Sequence, residues 1–350
     1  MKKELLLALV IVTVAVLVFG ACAKPAPAPA PERTWELKYS THSSPTSPTI
    51  KSVQEPWCTM IAEATNNRVK INMYVAESLS KAKDQYDAVV TGIADVAWVV
   101  TSYTPGRFPL TEIIVLPGLD IASNLQATYI MWELYEKFPE EFAKEYTEVK
   151  VLFIHTNPTQ ILCANKPVRR VEDVRGMKIR VVGAGPTAAV KAWGAIPVTL
   201  PYTEVYSAME KGVIDGAIVN WYGQHINRLY EVADYFTEVN LGIVTTVMTM
   251  NLETWNSFPP DIQEQIWSVS GLKGAEWYAV EMGDKPAIES RQAIGGMAGK
   301  EIITLSPEEM AGFNKVAEPI HAEYVAKLEA KGLPGQAIYA EMLRLIEKYR

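Results

Sequence analysis

The chain has 350 residues, a formal net charge of −7 at neutral pH, 49% hydrophobic residues and only three cysteines. The acidic balance excludes the electrostatic footprint of a nucleic-acid binder. Four histidines, with no H-E-x-x-H, C-x-x-C or G-x-S-x-G among them, leave little material for a metal or nucleophilic centre, so no cofactor, no metal and no nucleic-acid partner is expected.

Taken in chain order, the first signal is Lys2 and Lys3 ahead of an apolar run from Leu5 to Phe19, too short to span a bilayer comfortably and followed by small residues. That pattern reads as a signal peptide over residues 1–21. Gly20, Ala21 and Cys22 resemble the lipobox of bacterial lipoproteins, in which the cysteine becomes the acylated first residue. Residues 22–33 then form a spacer whose alternating prolines favour extended polyproline II, so the chain reads as a membrane-anchored, extracytoplasmic lipoprotein. The length beyond this tether is enough for two lobes with separate cores. Cys58 and Cys163 show no framework spacing and are expected to stay buried and unpaired.

Periodicity then predicts a strand ending near Thr41 and His42 ("LKYSTH"), a helix over Val53–Thr65 and the strand "VKINMYV". Two stretches 120 residues apart align without a gap, "YDAVVTGIADVAWVV" from Tyr86 and "YSAMEKGVIDGAIVN" from Tyr206. Each reads as a helix end, a glycine where the chain turns left-handed, and a short apolar strand. Two lobes of like α/β design follow. Ligands of such sheets gather beyond the carboxyl ends of the strands, which singles out His42, Thr101, Ser102 and Tyr103 in the first lobe and Asn220 and Trp221 in the second. Trp98 alternates with Ala97 and Val99 and reads more naturally as core. Between the echoes lie helices at Asn124–Lys137 and Pro139–Tyr146 and the strand "VKVLFIH". After them come the strand "VTTVMTMN", a long helix from Asp261 with that residue as its cap, and a helical region from Pro307 to the end.

Gly183, Gly185 and Ala188 satisfy G-x-G-x-x-A, with Glu204 placed downstream as a ribose ligand would be. An NAD-dependent oxidoreductase is therefore the first rival reading. Against it, no pool of NAD exists outside the cytoplasm, Pro186 lacks the N–H that a phosphate-binding helix start would use, and Arg180 interrupts a strand that a dinucleotide fold would keep apolar. A guanidinium at a strand end is costly to desolvate unless an anion meets it, and its planar fork fits a carboxylate. Gly183 could still line a ligand with its backbone.

These residues resemble a known family. "VEDVRGMKIRV", Gly194-Ala195, "PVTLPYTEVYSAMEKGVIDG" and "NLETWNSFPPDIQEQI", together with "TNNRVKINMYV" before "ESL" and "FPLTEIIVLP", are similar to the DctP-type extracytoplasmic solute-binding proteins of tripartite ATP-independent periplasmic (TRAP) transporters. The resemblance implies a two-lobed periplasmic binding protein fold with a ligand cleft between the lobes, a long helix in the C-terminal half linking them, and no catalysis. The lobes would comprise 34–157 plus about 245–285, and 158–244 plus about 286–350. It further implies that Arg180 grips a substrate carboxylate, that Tyr202 packs on the ligand, and that Asn220 and Trp221 supply polar and aromatic contacts. Gln160 stands where sialic-acid-binding relatives carry a second arginine, which argues against that substrate. Asn220 replaces the glutamate that holds a cation in 2-oxo-acid-binding relatives, so no obligatory metal is expected. Gln160 and the aromatic content suggest a monocarboxylate. The implied partners are a small organic acid and the membrane permease subunits. The binding protein of an ATP-driven importer and a purely structural lipoprotein are the remaining alternatives.

Overall fold

The computed structural model describes residues 33–157 and 159–350. The apolar leader, Cys22 and most of the Pro/Ala spacer lie outside the described residues. No helix among the described residues is long and apolar enough to cross a membrane. Residues 35–350 form one compact unit with strands β1 Trp35–Ser40, β2 Val69–Tyr74, β3 Val96–Val100, β4 Val149–Asn157, β5 Gln160–Ala164, β6 Lys178–Arg180, β7 Ile196–Val198, β8 Gly216–Asn220, β9 Tyr235–Thr237, β10 Val244–Asn251 and β11 Glu301–Ile303. They make two sheets, one per lobe, in the orders β2-β1-β3-β10-β4 and β11-β9-β5-β8-β6-β7.

The internal echo is a structural repeat. In the first sheet β1 lies between β2 and β3, and in the second β6 lies between β7 and β8, all parallel and connected through helices. Gly92 and Gly212 have φ of +72° and +66° with open space where a β-carbon would sit, so backbone conformation alone favours glycine there. The following aspartates do the same work in each lobe. Asp95 accepts from the Lys38 N–H at 2.8 Å, and Asp215 from the Lys178 N–H at 2.7 Å, each fixing the register of the neighbouring strand.

Antiparallel strands then join the halves. β10 pairs with β3 and β4, and β5 pairs with β8 and β9. The chain crosses between lobes after β4 and again before β10, and the crossings are bonded to each other: the Gln160 N–H donates to the Gly242 carbonyl (2.9 Å) and the Leu241 N–H to the Gln160 carbonyl (3.1 Å). Gly242 has φ of +83°, and a β-carbon on it would sit 2.8 Å from the Val115 carbonyl oxygen. A third connection is the helix Gly271–Ala279, which packs on β4 and continues through a widened turn at Val280–Asp284 into Lys285–Gly295, which packs on the second lobe's helix Trp221–Ile226. This is the linking helix that the family resemblance implies.

Two details differ from the sequence reading. The helix expected to run on from Asp261 is a short one, Pro260–Trp267, with Asp261 in its first turn and ion-paired to Arg68 at 2.8 Å. Pro259 and Pro260 set its start, and the linking helix begins anew at Gly271 (φ +57°). The resemblance allots the region from about 286 to 350 to the second lobe, whereas Ile338, Met342, Leu345 and Ile346 of the last helix share one core with Ile130, Met131 and Val151 of the first. An amphipathic pattern fixes which face is buried, not which lobe receives it. Cys58 and Cys163 are free thiols, and burial pushes both up to about 12.

The first lobe buries the carboxyl groups of Glu145 and Glu112. Glu145 accepts from the Leu110 N–H, the Thr111 N–H (3.1 Å) and the Thr111 hydroxyl (2.7 Å). Glu112, in the first lobe, is directed toward the Ala184 N–H of the second lobe and the Ser102 and Thr101 hydroxyls, while its Oε1 has no hydrogen-bond partner. Burial, opposed by these donors, pushes both groups up to about 7.

Two outcomes are expected. Gly242→Ala should destabilise the fold by about 1–3 kcal/mol, read by chemical denaturation, because it forces a left-handed residue against a carbonyl at the crossing. A carboxyl raised in the folded state contributes stability that is present below its unfolded pKa of about 4.3 and lost as pH rises through about 7. His155, which burial holds down at about 4, works in the opposite sense as pH falls. The informative measurement is therefore the difference in Tm between Glu112→Gln and the native chain, which should move in the variant's favour from pH 5 to 8. A difference independent of pH would show that Glu112 is ionised throughout.

Candidate functional site

The carboxyl ends of β1, β3, β6 and β8 converge on a cavity of about 480 Å³ lined from both lobes, a size typical of small-molecule sites. β6 ends on Arg180, whose side chain is almost fully buried, 3% exposed. Its Nε donates to the Leu200 carbonyl (3.1 Å) and its Nη1 to the Ile218 carbonyl (2.9 Å). Two neutral carbonyls orient the fork without neutralising it, and among the described residues no carboxylate forms an ion pair with Arg180. Burial lowers its pKa below the usual guanidinium range, with the Tyr103 and Tyr202 hydroxyls opposing that shift. The cavity therefore presents an oriented, uncompensated cation.

The first-lobe wall is aromatic. His42 stacks on Trp98 with centroids 5.1 Å apart and planes 7° from parallel, and Tyr103 meets His42 edge-on. The Trp98 Nε1–H donates to His155 Nε2 at 3.0 Å, which requires that nitrogen to be unprotonated. Burial lowers the pKa of both histidines, to about 4 for His155, so neither adds a second positive charge.

Two hydrogen bonds join the lobes across the cavity. The Tyr202 N–H donates to the Tyr103 hydroxyl (3.1 Å), and the Thr49 and Tyr222 hydroxyls pair at 3.2 Å. Gly223 leaves room for the Tyr202 hydroxyl, which lies 2.5 Å from where a β-carbon would be. The Asn220 Oδ1 accepts the Gly223 N–H at 2.7 Å and caps the helix Trp221–Ile226, so the side chain has its amide N–H₂ left for other contacts.

Of the residues singled out by sequence, the structure brings Arg180, Gln160, Tyr202, Asn220, His42 and Tyr103 to this cavity. Four do not reach it. Trp221 is 7% exposed and packs in the second core, stacked on Phe236 at 5.8 Å. The cap on Asn220 starts a helix at once, and the 100° step per residue turns Tyr222, not Trp221, into the cleft. Gly183, with φ of +88°, packs behind the cavity against Val115 and Ser102. The Thr101 hydroxyl donates to the Thr245 carbonyl (3.1 Å), and Ser102 lies beside Glu112. Sequence reasoning missed Tyr222, Asn157, Glu77 and the polar loop Ser43–Thr49, and favoured the core for Trp98, which is buried and lines the cavity as well. The loop had a signal: it follows directly on the end of β1. Among the described residues no cluster of three or more His, Cys, Asp or Glu could hold a metal ion.

Residues 39–328 match the model of the bacterial extracellular solute-binding protein family 7, DctP. The chain belongs to this family. A TRAP periplasmic solute-binding protein from Bordetella bronchiseptica, solved with bound (R)- and (S)-mandelate, is 26% identical over 90% of this chain and 100% of that one, with a TM-score of 0.83. A marine metagenome TRAP solute-binding protein specific for aromatic acid ligands, in complex with metahydroxyphenylacetate, is also 26% identical, covering 90% of this chain and 99% of its own at a TM-score of 0.83. The C4-dicarboxylate-binding periplasmic protein DctP of Rhodobacter capsulatus is 23% identical, over 84% of this chain and 88% of that protein. The family and these neighbours are solute-binding proteins, so the chain is a TRAP-type solute-binding protein and not an oxidoreductase built on the glycine motif.

Proposed function

We propose that this family member captures a small aromatic monocarboxylic acid outside the cytoplasm, closes its two lobes over it, and delivers it to the permease subunits of a TRAP transporter. The observation that carries this reading is the buried, unpaired Arg180 fork at one end of a cavity walled by Trp98, Tyr103, Tyr202 and Tyr222. A carboxylate completes two charge-assisted hydrogen bonds on that fork, and an aromatic ring adds stacking and edge contacts on the walls. The mandelate and hydroxyphenylacetate held by the two structural relatives fit this chemistry.

Closure follows from the division of contacts. Arg180, Tyr202 and Asn220 belong to one lobe and His42, Trp98 and Tyr103 to the other, so only the closed arrangement offers both sets, and a ligand shifts the population toward it. The rings also keep water from the ion pair, which strengthens it. In this reading Cys22 carries a lipid and the proline-rich spacer holds the lobes away from the membrane.

Calorimetry with (R)-mandelate and 3-hydroxybenzoate tests the site. The native chain should bind at least one of them, and Arg180→Lys should weaken it at least tenfold, about 1.4 kcal/mol, because a point ammonium cannot reproduce the fork. Unchanged affinity in that variant would remove Arg180 from the site. For the anchor, palmitate labelling of the full chain in cells should disappear in Cys22→Ser, and release of the native chain as a free protein would count against lipidation.

A further inference from the structure

The cavity holds a second charge that the organic-acid reading leaves unused. Glu77 lines it from the first lobe, in the loop that follows β2. Its backbone is held by an uncommon local geometry: Ala76 and Glu77 are consecutive non-glycine residues in the left-handed region, with φ of +52° and +60°. The Ala76 N–H donates to the Ser43 carbonyl (2.8 Å) and the Glu77 N–H to the Thr41 carbonyl (3.3 Å), tying the loop to the residues around His42. The carboxylate is fixed as well. Its Oε1 accepts the Ala82 N–H at 3.0 Å and its Oε2 accepts from Lys81 Nζ at 3.2 Å.

The Glu77 side chain is 17% exposed, whereas that of Lys81 is 67% exposed. An ammonium so open to water neutralises its partner only in part. The negative charge is felt inside the site: burial lowers the pKa of His42 and raises that of Tyr103, and Glu77 opposes the first shift and adds to the second. Arg180 is the one arginine in the lining, which contains no lysine, and His42 is kept neutral by burial. The cavity thus carries one cation, deep in the second lobe, and one anion on the opposing lobe.

We infer that Glu77 is a specificity-determining residue that rejects dicarboxylates and favours monocarboxylic acids bearing a hydrogen-bond donor at the end remote from the carboxylate. This inference rests on the organic-acid reading of the cleft. A second carboxylate entering the cavity would face Glu77 across a medium of low effective dielectric, without a second cation to receive it. A hydroxyl or amide N–H at the same place would donate to the carboxylate. Discrimination built on repulsion separates this chain from relatives named for C4-dicarboxylate binding.

The test compares two acids of nearly equal shape, 3-carbamoylbenzoate and benzene-1,3-dicarboxylate, which differ in replacing a neutral amide by a charged carboxylate. Calorimetry on the native chain should find the dicarboxylate at least thirtyfold weaker. Glu77→Gln should shrink that ratio at least tenfold, and Lys81→Met, which leaves Glu77 without its ammonium, should widen it. The Lys81 variant decides the matter should Glu77→Gln fail to fold. Equal affinity of the native chain for both acids overturns the inference, as does a ratio that neither variant moves. Failure of both acids to bind a chain that holds mandelate overturns the placement of Glu77 opposite the carboxylate. Failure of mandelate and 3-hydroxybenzoate as well is instead the failure of the organic-acid reading.

Discussion

A guanidinium removed from water and given only neutral oxygens, two carbonyls and the Tyr103 hydroxyl, is an unfinished ion pair. The effective cost of burying an ion is several kcal/mol, and hydrogen bonds to neutral acceptors return only part of it. The fold tolerates that deficit at Arg180 because β6 and β8 hold the side chain in a fixed orientation, with Leu200 and Ile218 supplying the two carbonyls. An anionic ligand removes the deficit. The rest of the architecture, two sheets facing across a cleft and joined by paired crossings, sets a second wall opposite that charge.

The repeat makes the asymmetry of the site visible. Ser40 pairs with Ala97 in the first lobe as Arg180 pairs with Ala217 in the second, and the aspartates at 95 and 215 bond to Lys38 and Lys178 in the same way. Arg180 therefore occupies the second-lobe counterpart of Ser40, whose hydroxyl bonds to Ser80 at 2.7 Å. Two similar scaffolds present a cation on one side and, through the Ala76–Glu77 turn, an anion on the other. The charges in the cavity come from single residues placed on common backbone, which is why the fold alone does not name the ligand.

What was legible in the chain followed from local rules. A glycine forced left-handed and an aspartate three residues later mark the same turn twice, because backbone sterics act within a few residues. Arg180 stood out because a strand in that position is otherwise apolar. The failures have equally local causes. Trp221 and Tyr222 differ only in helix phase after a cap, and one residue of phase moves a side chain from cleft to core. Glu77 was hidden because its loop uses two left-handed residues without a glycine to announce them. The return of the last helix to the first lobe could not be read at all, since its apolar stripe matches either core.

The glycine motif is the instructive case. Gly183 turns the chain with φ of +88° into the helix Ala184–Ala192, the same strand-turn-helix unit that a dinucleotide-binding fold uses to meet a phosphate. Here the space before the helix is filled by the protein itself. Val115 and Ser102 of the opposite lobe pack on Gly183, and the carboxyl group of Glu112 faces the Ala184 N–H. A helix start that attracts negative charge has been given an internal carboxyl group, and Pro186 removes one of the donors a phosphate would need. The consequence is mechanical: the segment that carries Arg180 is braced against the first lobe directly behind the cavity. Movement of one lobe relative to the other must then either keep this contact as a pivot or bring water to Glu112. The three-way junction of the glycine turn, the Gln160–Gly242 crossing and the Val115 carbonyl favours the pivot.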